Sequence, residues 1–183
     1  TRFPRDMGYL VSLDTTLPVT EGINEIVATL LEAVVLVIVV VFIFLQNWRA
    51  TLIPLLTVPV SLVGAFIFFP MLGFSINVLS LLGLVLAIGI VVDDAIIIVE
   101  NSAHYIETGL SPKDATIKAM QELTGPVVGI TLALVAVFLP AAFMPGITGQ
   151  IFRQFALVIA ATAVISALNA LTLKPVQCAT WLR

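Results

Sequence analysis

From Ala50 to Val92 the chain contains no Asp, Glu, Lys, Arg or His. A charge-free stretch this long exceeds one bilayer crossing, since a hydrocarbon core of about 30 Å takes about 20 helical residues. It must therefore turn back on itself, and Pro70, Gly73, Ser75 and Asn77 supply the turn chemistry. The stretch ends on two adjacent acids, Asp93 and Asp94, after which Ala95 to Val99 continue apolar. A charged side chain at membrane depth costs about 2.5–3.5 kcal/mol on insertion scales. Two side by side call for a job, and the simplest is to bind and release cations, above all protons.

Composition agrees with a membrane chain. Apolar residues make up 60% and charged residues 10%, with a mean hydropathy of +1.17. These values exclude an ordinary soluble domain. The net charge of −3 comes with no basic run, which argues against nucleic acid. The single Cys178 excludes an internal disulfide framework and a cysteine-rich metal site, and reads as a thiol in an apolar setting. Nothing calls for a cofactor. Residue 1 is Thr and no targeting segment follows, so the chain reads as a piece of something longer.

The pattern predicts an all-α membrane bundle of about five spans, over 26–45, 52–71, 78–99, 127–144 and 154–173. Residues 1–25 read as an extramembrane end and the approach to the first span. Strands of a membrane barrel would alternate in polarity, and Val34–Leu45 does not. Trp48 and Arg49 suit an interfacial anchor. The polar connection 101–125 holds Ser111-Pro112-Lys113-Asp114, a helix start with Ser111 as cap and Pro112 at the first helical position. A connector helix is expected over 112–123, ending at Gly125-Pro126. The side of Arg49, Lys113, Lys118, Lys174 and Arg183 carries more basic residues than that of Arg2, Arg5 and Arg153, which favours it as cytoplasmic. Pro54, Pro59 and Pro140 are expected to kink or locally unwind their helices, and His104 reads as a surface histidine.

Successive residues of a helix lie about 100° apart, so Asp93 and Asp94 share a broad face without pointing the same way. Glu100 returns to nearly the azimuth of Asp93, and Asn101 to that of Asp94. Gly83 and Gly89 would let a neighbouring helix approach, which suits a central position. Two carboxyls this close in a low-dielectric site do not both ionise unless a cation compensates, and they titrate as a pair. None of the five spans holds a central Lys or Arg; Lys174 reads as a snorkelling anchor at a helix end. The compensating cation is therefore expected on helices outside this chain. The bland alternative is that the acids cap or solvate a helix end at the interface. Glu100 is open between a solvated and a relay role, Glu32 reads as a polar contact to a neighbouring helix, and Asn77 as a cap for the acidic helix.

The stretch Leu86–Asn101 resembles the signature helix of resistance–nodulation–division (RND) efflux pumps of the hydrophobe/amphiphile multidrug branch. Phe44–Pro54, Gly73–Asn77, Gly109–Thr116, Thr148–Phe155 and Leu173–Ala179 agree with it in order along the chain. The resemblance implies the second to sixth helices of a twelve-helix inner-membrane transporter, a secondary active exporter and not an enzyme. It implies Asp93 and Asp94 as a proton relay, with a compensating Lys in the second half of the transporter. Glu100, Asn101 and Glu32 are candidate secondary polar or relay positions. It further implies drug-like or amphiphilic substrates bound by periplasmic domains, a homotrimer, a periplasmic adaptor and an outer-membrane channel. Transport by these residues alone is not expected. Other RND branches exporting metals, lipids or proteins remain open, though Met7, Met71, Met120 and Met144 form no helical ladder for a metal. An intramembrane aspartyl protease would need its two acids on separate helices. A purely structural membrane module is the remaining alternative.

Overall fold

The computed structural model describes residues 16–73 and 77–182. Expectations for residues 1–15, including Arg2 and Arg5, lie outside the described residues, as do Ser75 and Arg183. Six α-helices follow one another: α1 (Thr16–Leu45), α2 (Trp48–Leu72), α3 (Val78–Glu107), α4 (Pro112–Phe138), α5 (Gly146–Leu171) and α6 (Leu173–Trp181). No strand occurs among the described residues. Five helical segments are long and apolar enough to cross a membrane, α5 and α6 together making the fifth. The chain is a multi-pass membrane protein.

Helix ends follow local chemistry. The Asn47 side chain accepts from the Arg49 amide at the start of α2. Gly73 closes that helix at φ +68°, a left-handed turn that a residue without a Cβ adopts without strain. At the start of α3, Asn77 Oδ1 accepts from the Ser80 amide and Ser80 Oγ accepts from the Asn77 amide. This reciprocal box satisfies two amides that helix geometry leaves without partners. Ser111 Oγ likewise accepts from the Asp114 amide and donates to its carboxylate.

Two expectations change. The connector over 112–123 and the span over 127–144 form one helix, which runs through Gly125-Pro126 to Phe138. Proline removes one amide donor from a helix interior. Here Leu123 and Val127, on either side of it, pack into the same apolar cluster, which keeps the axis continuous. The unwinding comes at Pro140, within the 3-10 turn Leu139–Phe143. Pro54 and Pro59 stand inside the uninterrupted α2. The second change is the break at Thr172, whose φ of −123° and ψ of −68° separate α5 from α6. The ring of Pro175 would meet the carbonyl of Leu171 in a continuous helix, so the axis breaks just before it.

Helix α3 is the axle of the bundle and touches α1, α2, α4, α5 and α6. Three apolar clusters lie along it. Leu81 and Leu84 pack with Ala65, Phe69 and Val158. Ile88, Val91 and Val92 pack with Val41 and Val58. Ile98 and Val99 pack with Ala50, Ile53, Leu123, Ala170 and Cys178. Lipid is as apolar as these side chains, so close packing holds membrane helices together. The α5 seam is built for that: Ala156, Ala160, Ala163, Ala167 and Ala170 are all buried, spaced to fall on one face. Gly83 of α3 lies so close to α5 that an added Cβ would sit 3.2 Å from Val158 Cγ1.

Candidate functional site

Asp93 and Asp94 occupy the middle of α3, not its end, with Glu107 as the last helical residue. Their one-residue offset sends them into different surroundings. Asp94 faces the seam with α5 and is 6% exposed. Ser166 Oγ, itself fully buried on α5, donates to Asp94 Oδ2 at 2.6 Å. One turn further on, Asn169 Nδ2 of α5 donates to Ser61 Oγ of α2 at 2.8 Å. These contacts fix α5 against the two helices that flank it.

Asp93, about 100° round the helix from Asp94, is exposed. It lies on a stripe with Leu82, Leu86, Gly89, Ile97 and Glu100, all exposed and spaced three or four residues apart. Among the described residues, the local backbone of α3 aside, nothing stands within 4 Å of a Cβ added at Gly89. The small residue expected to admit a neighbour is therefore Gly83, and Gly89 faces open space. Beside this stripe, Ile90, Asp93, Ile97, Ile130 and Leu134 line a groove of about 360 Å³ between α3 and α4. The interior edge of the same groove reaches Asp94. The acids thus touch one cavity from two directions.

Of the other candidates, Glu100 is exposed, Asn101 is half-buried, and Glu32 is exposed on α1. Glu32 does not turn into the α1 seam, where Leu30, Ala33, Val34 and Val37 pack. His104 is exposed. Among the described residues no group of three His, Cys, Asp or Glu side chains could hold a metal.

Two residues escaped the sequence reading. Ser166 sits 72 positions from Asp94, and a lone hydroxyl in an apolar run carries no pairing signal. Lys174 is the larger correction. It is 0% exposed and does not snorkel. The break at Thr172 turns the first residues of α6 inward, and Lys174 Nζ donates to the Val91 carbonyl of α3 at 3.4 Å. The chain does, then, place a cation among its helices, within a turn of the acids. The sequence signal was Lys-Pro directly after an apolar span, where the Pro breaks the helix that would have carried the Lys outward.

This arrangement, an acid pair on a central helix with one member sealed by α5, spans a chain whose residues 1–183 all match the AcrB/AcrD/AcrF family. The chain belongs to the AcrB/AcrD/AcrF family. It is 50% identical over 182 residues to the multidrug export protein AcrF of Escherichia coli (strain K12), covering 99% of this chain and 18% of that protein. It is 49% identical to the toluene efflux pump membrane transporter TtgB of Pseudomonas putida (strain DOT-T1E), covering 99% of this chain and 17% of that protein. The multidrug resistance protein MdtF of Escherichia coli (strain K12) is 45% identical over the same span. The chain spans less than a fifth of the length of these AcrB/AcrD/AcrF relatives.

Proposed function

We propose that this chain is the proton-handling part of the membrane core of a secondary active exporter, in which inward proton flow drives efflux of drugs and other amphiphiles. The observation that carries the reading is the buried Asp94 carboxyl, hydrogen-bonded to Ser166 in the middle of an apolar helix. A carboxyl there is favourable only if its charge is neutralised by a proton or a nearby cation. A site that alternates between those two conditions converts proton binding into a change in helix–helix contacts. Asp93 opens onto the groove beside α4, where a proton can reach the pair. Relatives named for multidrug export and toluene efflux support the substrate class.

On this reading the transporter sits in the bacterial inner membrane and works as a homotrimer with a periplasmic adaptor and an outer-membrane channel. Substrates bind in periplasmic domains outside this segment, and the segment alone does not transport. The outward-facing stripe of α3 takes the second half of the transporter, with its own counter-cation for the pair. Glu100 and Asn101 continue the polar line below the acids, and Glu32 contacts a helix of another part of the assembly.

The test is efflux by the full-length transporter carrying Asp93→Asn or Asp94→Asn. Each variant is expected to lose proton-coupled export in cells while reaching the membrane and trimerising normally. Wild-type efflux by either variant would overturn the relay.

A further inference from the structure

Lys174 is a buried ammonium with few partners. Its Nζ carries three donors, and its hydrogen bond in this structure goes to the Val91 carbonyl, at 3.4 Å. That carbonyl stands one turn before Ala95 inside α3, where the helix already uses it. A charge kept in an apolar interior on so little hydrogen bonding needs an opposite charge or further acceptors.

Both stand close by. The Asp94 carboxylate, three residues after Val91, lies near enough for its charge to act on Lys174. In the other direction is a buried acceptor without a hydrogen-bond partner, Gln177 Oε1. Gln177 is one turn along α6 from Lys174, the spacing at which helix side chains are neighbours. Natural proteins rarely leave buried acceptors unsatisfied, and each lost partner costs about 1–3 kcal/mol. A donor that visits Gln177 Oε1 part of the time accounts for it.

Among the described residues, the remaining surroundings of α6 offer Lys174 no competing charge. From α5 the polar neighbour of Asp94 is the neutral Ser166. Arg49 of α2 lines a separate pocket with Trp48 and Trp181. Lys113 of α4 lines a groove on another side of α6, with Pro175 and Val176. Asp93 of α3 faces the α4 groove. Cys178, one turn along α6, is the other titratable group that acts on Lys174.

We propose that Lys174 is a resident counter-cation of Asp94 that moves between two positions: against α3 beside an ionised Asp94, and down α6 onto Gln177 Oε1 once Asp94 takes up a proton. This inference rests on the relay reading and assigns it a positioning residue inside this chain. The lysine moves no proton itself; it answers the charge of the acid and so couples proton uptake on α3 to the position of α6.

A double-mutant cycle in the full-length, detergent-solubilised transporter tests this. Asp94→Asn leaves the ammonium unopposed and is expected to lower the thermal midpoint. Adding Lys174→Met is expected to restore most of that loss, whereas the same addition to Asp93→Asn restores none. In cells, Lys174→Met is expected to lose efflux, Lys174→Arg to retain it, and Gln177→Leu to slow it. Additive midpoint losses for Asp94→Asn and Lys174→Met, or full efflux by Lys174→Met, would overturn the assignment. If Lys174→Met fails to accumulate, the Asp94→Asn/Lys174→Met protein is expected to accumulate in its place, and its absence would count equally against the pairing. The cycle reads stability and not transport, so it stands apart from the relay test: export-competent Asp94→Asn overturns the relay, additivity overturns the lysine.

Discussion

Ser166→Ala isolates the contribution of the buried hydrogen bond. The variant removes one oxygen from a site where both partners are buried and 2.6 Å apart. A bond to an ionised carboxylate contributes about 1.5–3 kcal/mol, against about 1 kcal/mol for a neutral pair. The substitution therefore costs the ionised form about 0.5–2 kcal/mol more than the protonated one. At about 1.4 kcal/mol per decade, that is roughly a 2- to 30-fold change in the balance between the two forms. The volume lost is a single hydroxyl, so packing along the alanine seam survives. In proteoliposomes driven by a pH gradient, Ser166→Ala in the full-length transporter is expected to slow efflux by a factor in that range. It should also displace the pH dependence of the rate, while drug affinity and trimer yield stay unchanged. Ser166→Thr keeps the hydroxyl and is expected to recover most of the rate. A Ser166→Ala protein with the wild-type rate and pH profile would refute the claim that this bond takes part in the relay.

Two further outcomes probe the scaffold. Asn77→Ala removes the capping box of α3 and the side-chain bond from Asn77 to Gln154 of α5; a stability loss of about 0.5–2 kcal/mol is expected in thermal or denaturant melts. Gly83→Val drives a branched side chain into Val158 and the Phe155 carbonyl. About 1–3 kcal/mol of strain is expected there, read as a lower melting midpoint and weaker membrane accumulation.

The helical class was legible because apolar runs of bilayer length leave few choices, and Asn77 and Ser111 announced their helices by cap chemistry. The acids were legible as expense: a charge in an apolar run stands out without any structure. What escaped depended on contacts distant in sequence. Which acid is covered follows from where α5 lies against α3, and nothing near residue 93 encodes that. Ser166 becomes a partner only once α5 lies against α3. The burial of Lys174 hangs on a break one residue long at Thr172, where the choice between continuing outward and turning inward is made by packing. The continuity of α4 through Pro126 was missed for the related reason that local propensity counts the lost amide and not the cluster holding both sides.

Among the described residues, the seam between α3 and α5 carries polar fastenings of two different kinds. Asn77 and Gln154 join neutral side chains at the start of α3, and their bond does not change with charge. Asp94 and Ser166, about 25 Å further along α3, make a bond whose strength follows the charge on the acid. Between them lie the alanines of α5 and the close contact of Val158 with Gly83. On the proposed reading, a proton arriving at Asp94 loosens one end of this seam and leaves the other pinned. The helices then respond as a lever about a fixed hinge, and the direction of the stroke is set by where that hinge was placed.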